Sequence, residues 1–366
     1  MATVAKASLI HSTFAPMSAR RLLVLGGIAL VVAGMLFGDI FAVFILHQNA
    51  GVQGAALIAA DQAVAAGDEA AVTRIFASLG SLLEDRGTKV DAHVHLIGAG
   101  YLALLLALVQ PFIVLPLRTK KILAALFIAG ATLLPIGIFL IHYIGLTYSP
   151  FAVIGWASIL ADSAGALLII VLAVEAWGFR RYIRSRELSE PALPQDNTWE
   201  RRTLLSGGTL LVLLGFLHGA WYAGAYLYQH ERMETAILQN MITAATANDL
   251  AAATAQVSDF GNLAGARAVN IAAHSHVIEF GLLAMLLSFV QPYVFLSERW
   301  KRRWTQILLA GSLILPIFVL LELKLGLLAG GIADLGGLMV IVALVAMLVG
   351  VFRYTGTLDA STGGAS

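Results

Sequence analysis

The chain repeats itself. His93-Val-His95 opens a long apolar segment, and His274-Ser-His276 opens another 181 residues later. At the same offset Arg20-Arg21 falls on Arg201-Arg202, Gly34 and Gly38 on Gly215 and Gly219, and Gln110-Pro111 on Gln291-Pro292. Leu134-Pro135-Ile136 likewise falls on Leu315-Pro316-Ile317, and the match runs without a gap from residue 20 to residue 145. A nine-residue shift restores it at offset 172, where Asp162, Gly165, Arg181 and Tyr182 meet Asp334, Gly337, Arg353 and Tyr354. A period of this length means that a whole structural unit has been duplicated, so the fold must be read as two related halves.

Composition places both halves in lipid. Mean hydropathy is +0.85, and only 12% of residues are charged, against about 25% in a soluble protein. A helix needs about 20 apolar residues to cross a bilayer core. Eight segments qualify: 22–46, 92–116, 122–145, 151–178, 203–228, 272–296, 304–326 and 330–352. The predicted class is therefore an all-α integral membrane protein of eight transmembrane helices. The first segment is too long for the apolar region of a signal peptide and reads as a retained helix. A net charge of +1 and no long basic tract give no sign of a nucleic-acid partner. The chain has no cysteine, which removes disulfides, thiolate metal sites, covalent haem attachment and iron–sulfur clusters together.

Lys and Arg collect at alternate helix ends: Arg20-Arg21, Arg118/Lys120/Lys121, Arg180–Arg186, Arg201-Arg202, Arg299–Arg303 and Arg353. The positive-inside rule then puts both termini in the cytoplasm, in what is expected to be the inner (plasma) membrane of a bacterium. An even number of spans per half makes the two repeats parallel, with a pseudo-twofold axis along the membrane normal. The expected organisation is a cytoplasmic N-terminus (1–21), a first four-helix repeat (22–184) with an outer insertion (47–90), and a cytoplasmic linker (185–200). A second repeat (201–354) with an outer insertion (229–270) and a disordered tail (355–366) complete it. Both insertions are Ala-rich, and Ala70–Leu83 and Ala236–Ala247 read as short, weakly amphipathic helices. Gly67-Asp68 aligns with Asn248-Asp249 as a turn or helix N-cap in each copy. The insertions suit a helical lid over the outer face, or a ligand-sensing domain.

Eight of the nine histidines lie in or beside the apolar segments. His47 and His230 fall at the outer ends of the first and fifth spans. His93, His95, His274 and His276 start the second and sixth, His142 lies near the outer end of the third, and His218 is expected deeper. Neutral imidazoles without cysteine suit haem iron, copper or zinc. Residues seven apart on a helix differ by roughly 20° in direction, and residues two apart by roughly 160°. His93 therefore shares a face with Gly100 and His274 with Gly281, whereas His95 and His276 point the other way. A glycine below a histidine leaves a flat slot that suits a porphyrin plane. The same glycines, with Gly27, Gly34 and Gly38 on the first span and Gly208, Gly215 and Gly219 on the fifth, also suit close helix packing. The halves differ at particular positions: His47 meets Tyr228, His142 meets Leu323, Phe37 meets His218, Asp39 meets Ala220, Gly98 meets Glu279 and Ile141 meets Glu322. Asp162 and Asp334 read as helix caps or as proton or metal ligands, Glu175 as a side chain reaching the headgroups, and Glu322 with Lys324 as a local pair.

The pattern H-x-H-x4-G, in HVHLIGAG (93–100) and HSHVIEFG (274–281), resembles a helix of small four-helix membrane proteins described as cytochrome c oxidase subunit I-like. It also resembles the corresponding helix of the NnrS family of haem–copper membrane proteins. GMLFG (34–38) and its copy GFLHG (215–219) are similar to the glycine pair of the preceding helix, and His142 to a third-helix histidine. The likeness covers three helices of each half. It implies haem b, with His93 and His274 as its ligands and copper as a second metal. Departures are the longer insertions, the missing third-helix histidine of the second half, and the lack of an H-P-E-V-Y-type copper site, so oxygen reduction is not implied.

These readings leave three functions open. The first is a haem or haem–copper protein for electron transfer or small redox-ligand handling at the outer face, working with a redox partner or a quinol. The second is a transporter or small-molecule sensor with an outer lid, and the third is transition-metal binding or trafficking. The cofactor could sit within each half, with His93 or His95 meeting His47 or His142 and with His274, His276, His218 or His230 serving the second half. The other arrangement is a shared centre that takes His93 and His274 together. Optical spectra and metal analysis of the purified protein test the first function. Haem binding by His93 and His274 predicts a Soret band halved or abolished by His93→Ala and by His274→Ala, and untouched by His11→Ala; equal loading in all three variants rules those ligands out.

Overall fold

The computed structural model describes residues 18–42, 44, 47–144, 156–189, 198–222, 225–226 and 228–354. Among them the chain is all-helical, with no strand. The helices are α1 (Ala19–Phe41), α2 (His47–Ala65), α3 (Glu69–Val109), α4 (Leu117–Ile144) and α5 (Trp156–Ser185), followed by α6 (Trp199–Tyr222), α7 (Tyr228–Thr246), α8 (Leu250–Val290), α9 (Glu298–Leu325) and α10 (Leu327–Arg353). Eight of them, all but α2 and α7, are long and apolar enough to cross a membrane. The expected tail at 355–366 lies outside the described residues.

Two helices depart from the expected boundaries. The short helix read at Ala70–Leu83 and the span read at 92–116, as far as Val109, are one continuous helix, α3, of 41 residues. Its counterpart α8 is also 41 residues long. At 1.5 Å per residue each measures roughly 60 Å, twice the bilayer core, so about half of each must project beyond the membrane. The projecting halves pack with α2 and α7 around Leu57, Leu79, Met241 and Val257, a small distal bundle to which both halves contribute. Both tall helices begin alike. Gly67 and Asn248 adopt positive φ, and Asp68 and Asp249 accept hydrogen bonds from the backbone N–H of Ala71 and Ala252. The N-caps expected at these positions are present.

The opposite, basic end is clasped by a repeated turn. Gln110–Phe112 and Gln291–Tyr293 form single 3₁₀ turns where proline ends the tall helices. The extended residues that follow run back to the last helix of each half. Val114 donates its N–H to the Gly178 carbonyl at 3.2 Å and Phe295 to that of Gly350 at 2.9 Å. A side chain at Gly178 would meet Ile113 at 2.8 Å, and one at Gly350 would meet Val294 at 2.6 Å, so glycine is needed for the strand-like segment to reach the helix.

Within the membrane region α1 lies against α3 and α6 against α8, with the glycines between them. A Cβ on Gly100 would sit 2.6 Å from Val31 Cγ2 and 2.7 Å from the Gly27 carbonyl; one on Gly281 would sit 2.7 Å from Val212 Cγ2 and 2.7 Å from the Gly208 carbonyl. Close packing is therefore what these glycines serve. The face expected to be a slot at Gly100 and Gly281 is occupied by the neighbouring backbone and by Val31 and Val212. Gly100→Leu and Gly281→Leu should each lower stability by about 1–3 kcal/mol or more, as overpacking against unyielding backbone does. Gly98→Leu on the open side of α3, where an added side chain meets nothing within 4 Å, should cost nothing. Thermal unfolding midpoints in detergent check this, and equal midpoints for Gly98→Leu and Gly100→Leu would contradict the packing.

Candidate functional site

The helix pairing decides what the histidines do. In α3 the His93 ring occupies the notch that Gly38 leaves on α1, and its Nδ1 lies 2.7 Å from the Gly34 carbonyl. In α8 the His274 ring fills the notch at Gly219, with Nδ1 2.9 Å from the Gly215 carbonyl. A carbonyl only accepts, so Nδ1 carries the proton in both rings and Nε2 is left with its lone pair. The GxxxG stripes thus seat imidazoles and fix their tautomer. That is also how a histidine is oriented when its other nitrogen serves as a ligand or proton acceptor.

The second histidine of each pair does point away from the first, with different outcomes in the two halves. His95 is exposed and donates from Nδ1 to the Asp91 carbonyl of its own helix at 2.7 Å. His276 turns inward, stacks on Phe280 with ring centroids 5.9 Å apart and lies 4.0 Å from a Glu279 carboxylate oxygen. His93 and His274 do not meet: the ring nearest His274 among the described contacts is that of His218, at 6.4 Å. His218 thus stands level with His274 rather than deeper. Its Nε2 is buried without a hydrogen-bond partner. His230 pairs with Tyr222, Nδ1 to hydroxyl 3.1 Å. The side chains of His47 and His142 lie outside the described residues, and with them the expected pairing inside the first half.

What the structure assembles is a cavity of about 180 Å³ between the two halves. Asp39 of α1 with His93 and Tyr101 of α3 face His276 and Glu279 of α8 and Asp334 of α10 across it. Phe280, Leu315, Val319 and Ile97 supply apolar wall. Counting 1.5 Å per residue from the basic end, Glu279 and Tyr101 lie roughly halfway across the bilayer, whereas Asp39, His93 and Asp334 approach its distal boundary. The Asp39 carboxylate rests over Gly337, where an added Cβ would lie 3.3 Å from Oδ1. Of these residues His93 and His276 belong to the expected site. Asp39 and Glu279 appeared in the sequence only as positions where the halves differ, since their counterparts are Ala220 and Gly98. Tyr101 carried no sequence signal.

Several polar residues are placed otherwise than expected. Asp334 stands well inside α10, whose N-cap is Gly326, and Asp162 stands inside α5 and is exposed; neither is a helix cap. Glu322 and Lys324 do not pair, because Glu322 turns toward Gly330 of α10 while Lys324 faces another cavity. That cavity, about 610 Å³, is walled by His218, Trp221, Tyr222, Tyr226 and His230. Glu175 does not reach the headgroups: it is 3% exposed and accepts a hydrogen bond from Gln110 at 3.3 Å. Beside it Lys120, fully buried, donates to the Gln110 carbonyl at 2.7 Å and to Ser189 at 2.8 Å. In the second half Met347 stands in place of Glu175, with Gln291 against its thioether at 3.7 Å, and Lys301, the counterpart of Lys120, pairs with Glu298 instead.

No group of three or more His, Asp or Glu is placed to hold a metal ion among the described residues. No protein family, curated protein or solved structure matches the chain. The structural weight of the Lys120 knot can be measured directly. Lys120→Met leaves buried acceptors unsatisfied and should cost about 1–3 kcal/mol, while Lys301→Met, which breaks only the helix-end pair with exposed Glu298 at 3.2 Å, should cost less than about 1 kcal/mol. Unfolding of the two variants in the same detergent makes the comparison, and equal losses would refute it.

Proposed function

We propose that the protein binds a small polar solute in the cavity between its halves and serves as a transporter of that solute. One observation carries this reading: Asp39, Tyr101, His93, His276, Glu279 and Asp334, from four helices, line one cavity within the membrane region. Ionisable side chains are costly there and mark solute or ion paths. Transporters built from repeats place their sites at the repeat interface near the midplane. At about 180 Å³ the cavity is smaller than the roughly 300 Å³ at which drug-sized pockets begin, which limits the solute to a few heavy atoms. In this arrangement the two parallel four-helix repeats supply one site together, the distal bundle forms the lid on the outer side, and both termini are cytoplasmic. Stabilisation by ligand tests it. Among ammonium, methylammonium, urea and the alkali cations, at least one should raise the unfolding midpoint, by the roughly 2.7 kcal/mol expected at a hundred times its dissociation constant. The effect should vanish in the Asp39→Asn/Glu279→Gln variant. A midpoint that no member of the panel moves overturns the reading.

A second reading keeps the implied haem or copper, and with it a redox partner or quinol. It is favoured by the tautomer of His93 and His274, and by the larger cavity in which His218 and His230 share a wall. The fit is partial. The glycine faces of α3 and α8 lie against neighbouring backbone, whereas His218, with Nε2 buried and without a hydrogen-bond partner, and His230 border a space of about 610 Å³. A bound haem or copper would supply one-electron chemistry at that second-half cavity, with His218 and His230 as the candidate ligands.

A further inference from the structure

The interface cavity is the innermost of three that share walls. A middle cavity of about 420 Å³ has Ala42, His276, Val319, Ala333 and Asp334 in common with it. Ala268, Val269 and Glu322 in turn are common to the middle cavity and to a distal one of about 320 Å³ under the projecting bundle. The distal cavity is bordered by Gly54, Arg86, Gly261 and Gly265, the middle one by Gly330 and Gly331. Along this line the walls are small residues with few obstacles: a Cβ added at Gly54, Gly261, Gly265 or Gly331 would meet nothing within 4 Å.

The charge along it is one-sided. Among the described residues Glu322, Asp334, Asp39 and Glu279 follow one another inward, against a single guanidinium, Arg86, at the distal end and the imidazoles of His276 and His93 further in. Three of these four acids, Asp39, Glu279 and Glu322, stand where the other half has Ala220, Gly98 and Ile141. The second copies of those positions therefore carry no such charge, and the difference between the halves converges on one line of cavities. Carboxylates in apolar surroundings are costly without a counter-charge, and a cleft walled by one sign of charge concentrates the opposite ion.

We propose that these three cavities form one entry route, from beneath the distal bundle to the interface cavity, and that the route selects small monovalent cations. Glu322 is the first selecting carboxylate, because among the described residues it is the one acid bordering both the distal and the middle cavities. The inference rests on the solute-binding reading given above and adds the charge class and the path.

The absence of cysteine from the natural chain makes the route directly addressable. Single cysteines at Gly265 and Gly331, positions with room for a side chain, can be treated in the full-length protein in liposomes. The probes are a cationic methanethiosulfonate, the trimethylammonium-ethyl reagent, and the anionic sulfonatoethyl reagent. Relative to a free thiol, the cation-over-anion rate ratio at Gly331→Cys should be raised about tenfold, within the range such focusing produces. Adding Glu322→Gln should collapse it toward the free-thiol value. No reaction at Gly331→Cys while Gly265→Cys reacts would overturn a continuous route; a ratio equal to that of the free thiol at both positions would overturn cation selection. The labelling reads the path without any bound solute. If it shows no charge preference while ammonium or an alkali cation still protects the wild type but not Asp39→Asn/Glu279→Gln, the cavity reading stands and the route falls. If labelling favours the cation and solute protection fails, only the cavity reading falls.

Discussion

Close backbone contact between α1 and α3, and again between α6 and α8, is the constraint on which the rest of the membrane region depends. Lipid offers no hydrophobic gain for bringing two apolar helices together, so packing and interhelical hydrogen bonds must hold them. Here the glycine stripes provide both. Gly27 and Gly208 let the carbonyls of the tall helices approach, while Gly38 and Gly219 open notches that His93 and His274 fill. The imidazole then hydrogen-bonds the Gly34 or Gly215 carbonyl. A larger residue at either notch would displace the ring and leave its N–H without a partner in an apolar setting, which is costly.

From that shared frame the halves diverge in charge. The first half buries Lys120, Glu175 and Gln110 together at the basic end, where the second has Gln291 and Met347 and its lysine, Lys301, pairs with Glu298. Towards the distal end the differences are Asp39 in one half and Glu279 and Glu322 in the other, and all three border cavities that share walls. Positions that align at the offset of 181 residues occur once in each half of the chain. Burying a charge in both would double its cost without adding to one shared site, and a single interface needs each group once.

Much of the molecule was legible in the chain. Apolar length gave the eight membrane-length helices, and Gly67-Asp68 and Asn248-Asp249 gave the two N-caps. Period arithmetic correctly turned His95 and His276 away from their partners. The full extent of α3 is not visible in hydropathy, because Arg74, Asp85, Arg86 and Lys89 interrupt it and hydropathy responds to lipid rather than to helical continuity. A helix standing half in lipid and half in a distal bundle changes composition midway without breaking its hydrogen-bond ladder. The role of the glycines is not legible in the chain for a related reason: spacing places a glycine on a face but does not say what lies opposite. Only the position of Val31 and Gly27 against Gly100 decides between a slot and a packed contact.

The sequence by itself therefore determined the helical, membrane-length class, the self-match at an offset of 181 residues, the helix caps and the paired imidazoles, which follow from composition, short-range periodicity and the recurrence of like residues along the chain. Tertiary structure alone decided that His276, not His274, shares a cavity with His93. It also decided that Asp39, Glu279, Asp334 and Tyr101 join them, that Glu175 is buried, and that Glu322 turns from Lys324 toward α10. The physical reason is that a site between halves depends on how α1 and α3 meet α8 and α10. Those contacts join residues more than 170 positions apart, whereas local periodicity reports only the face a residue occupies on its own helix.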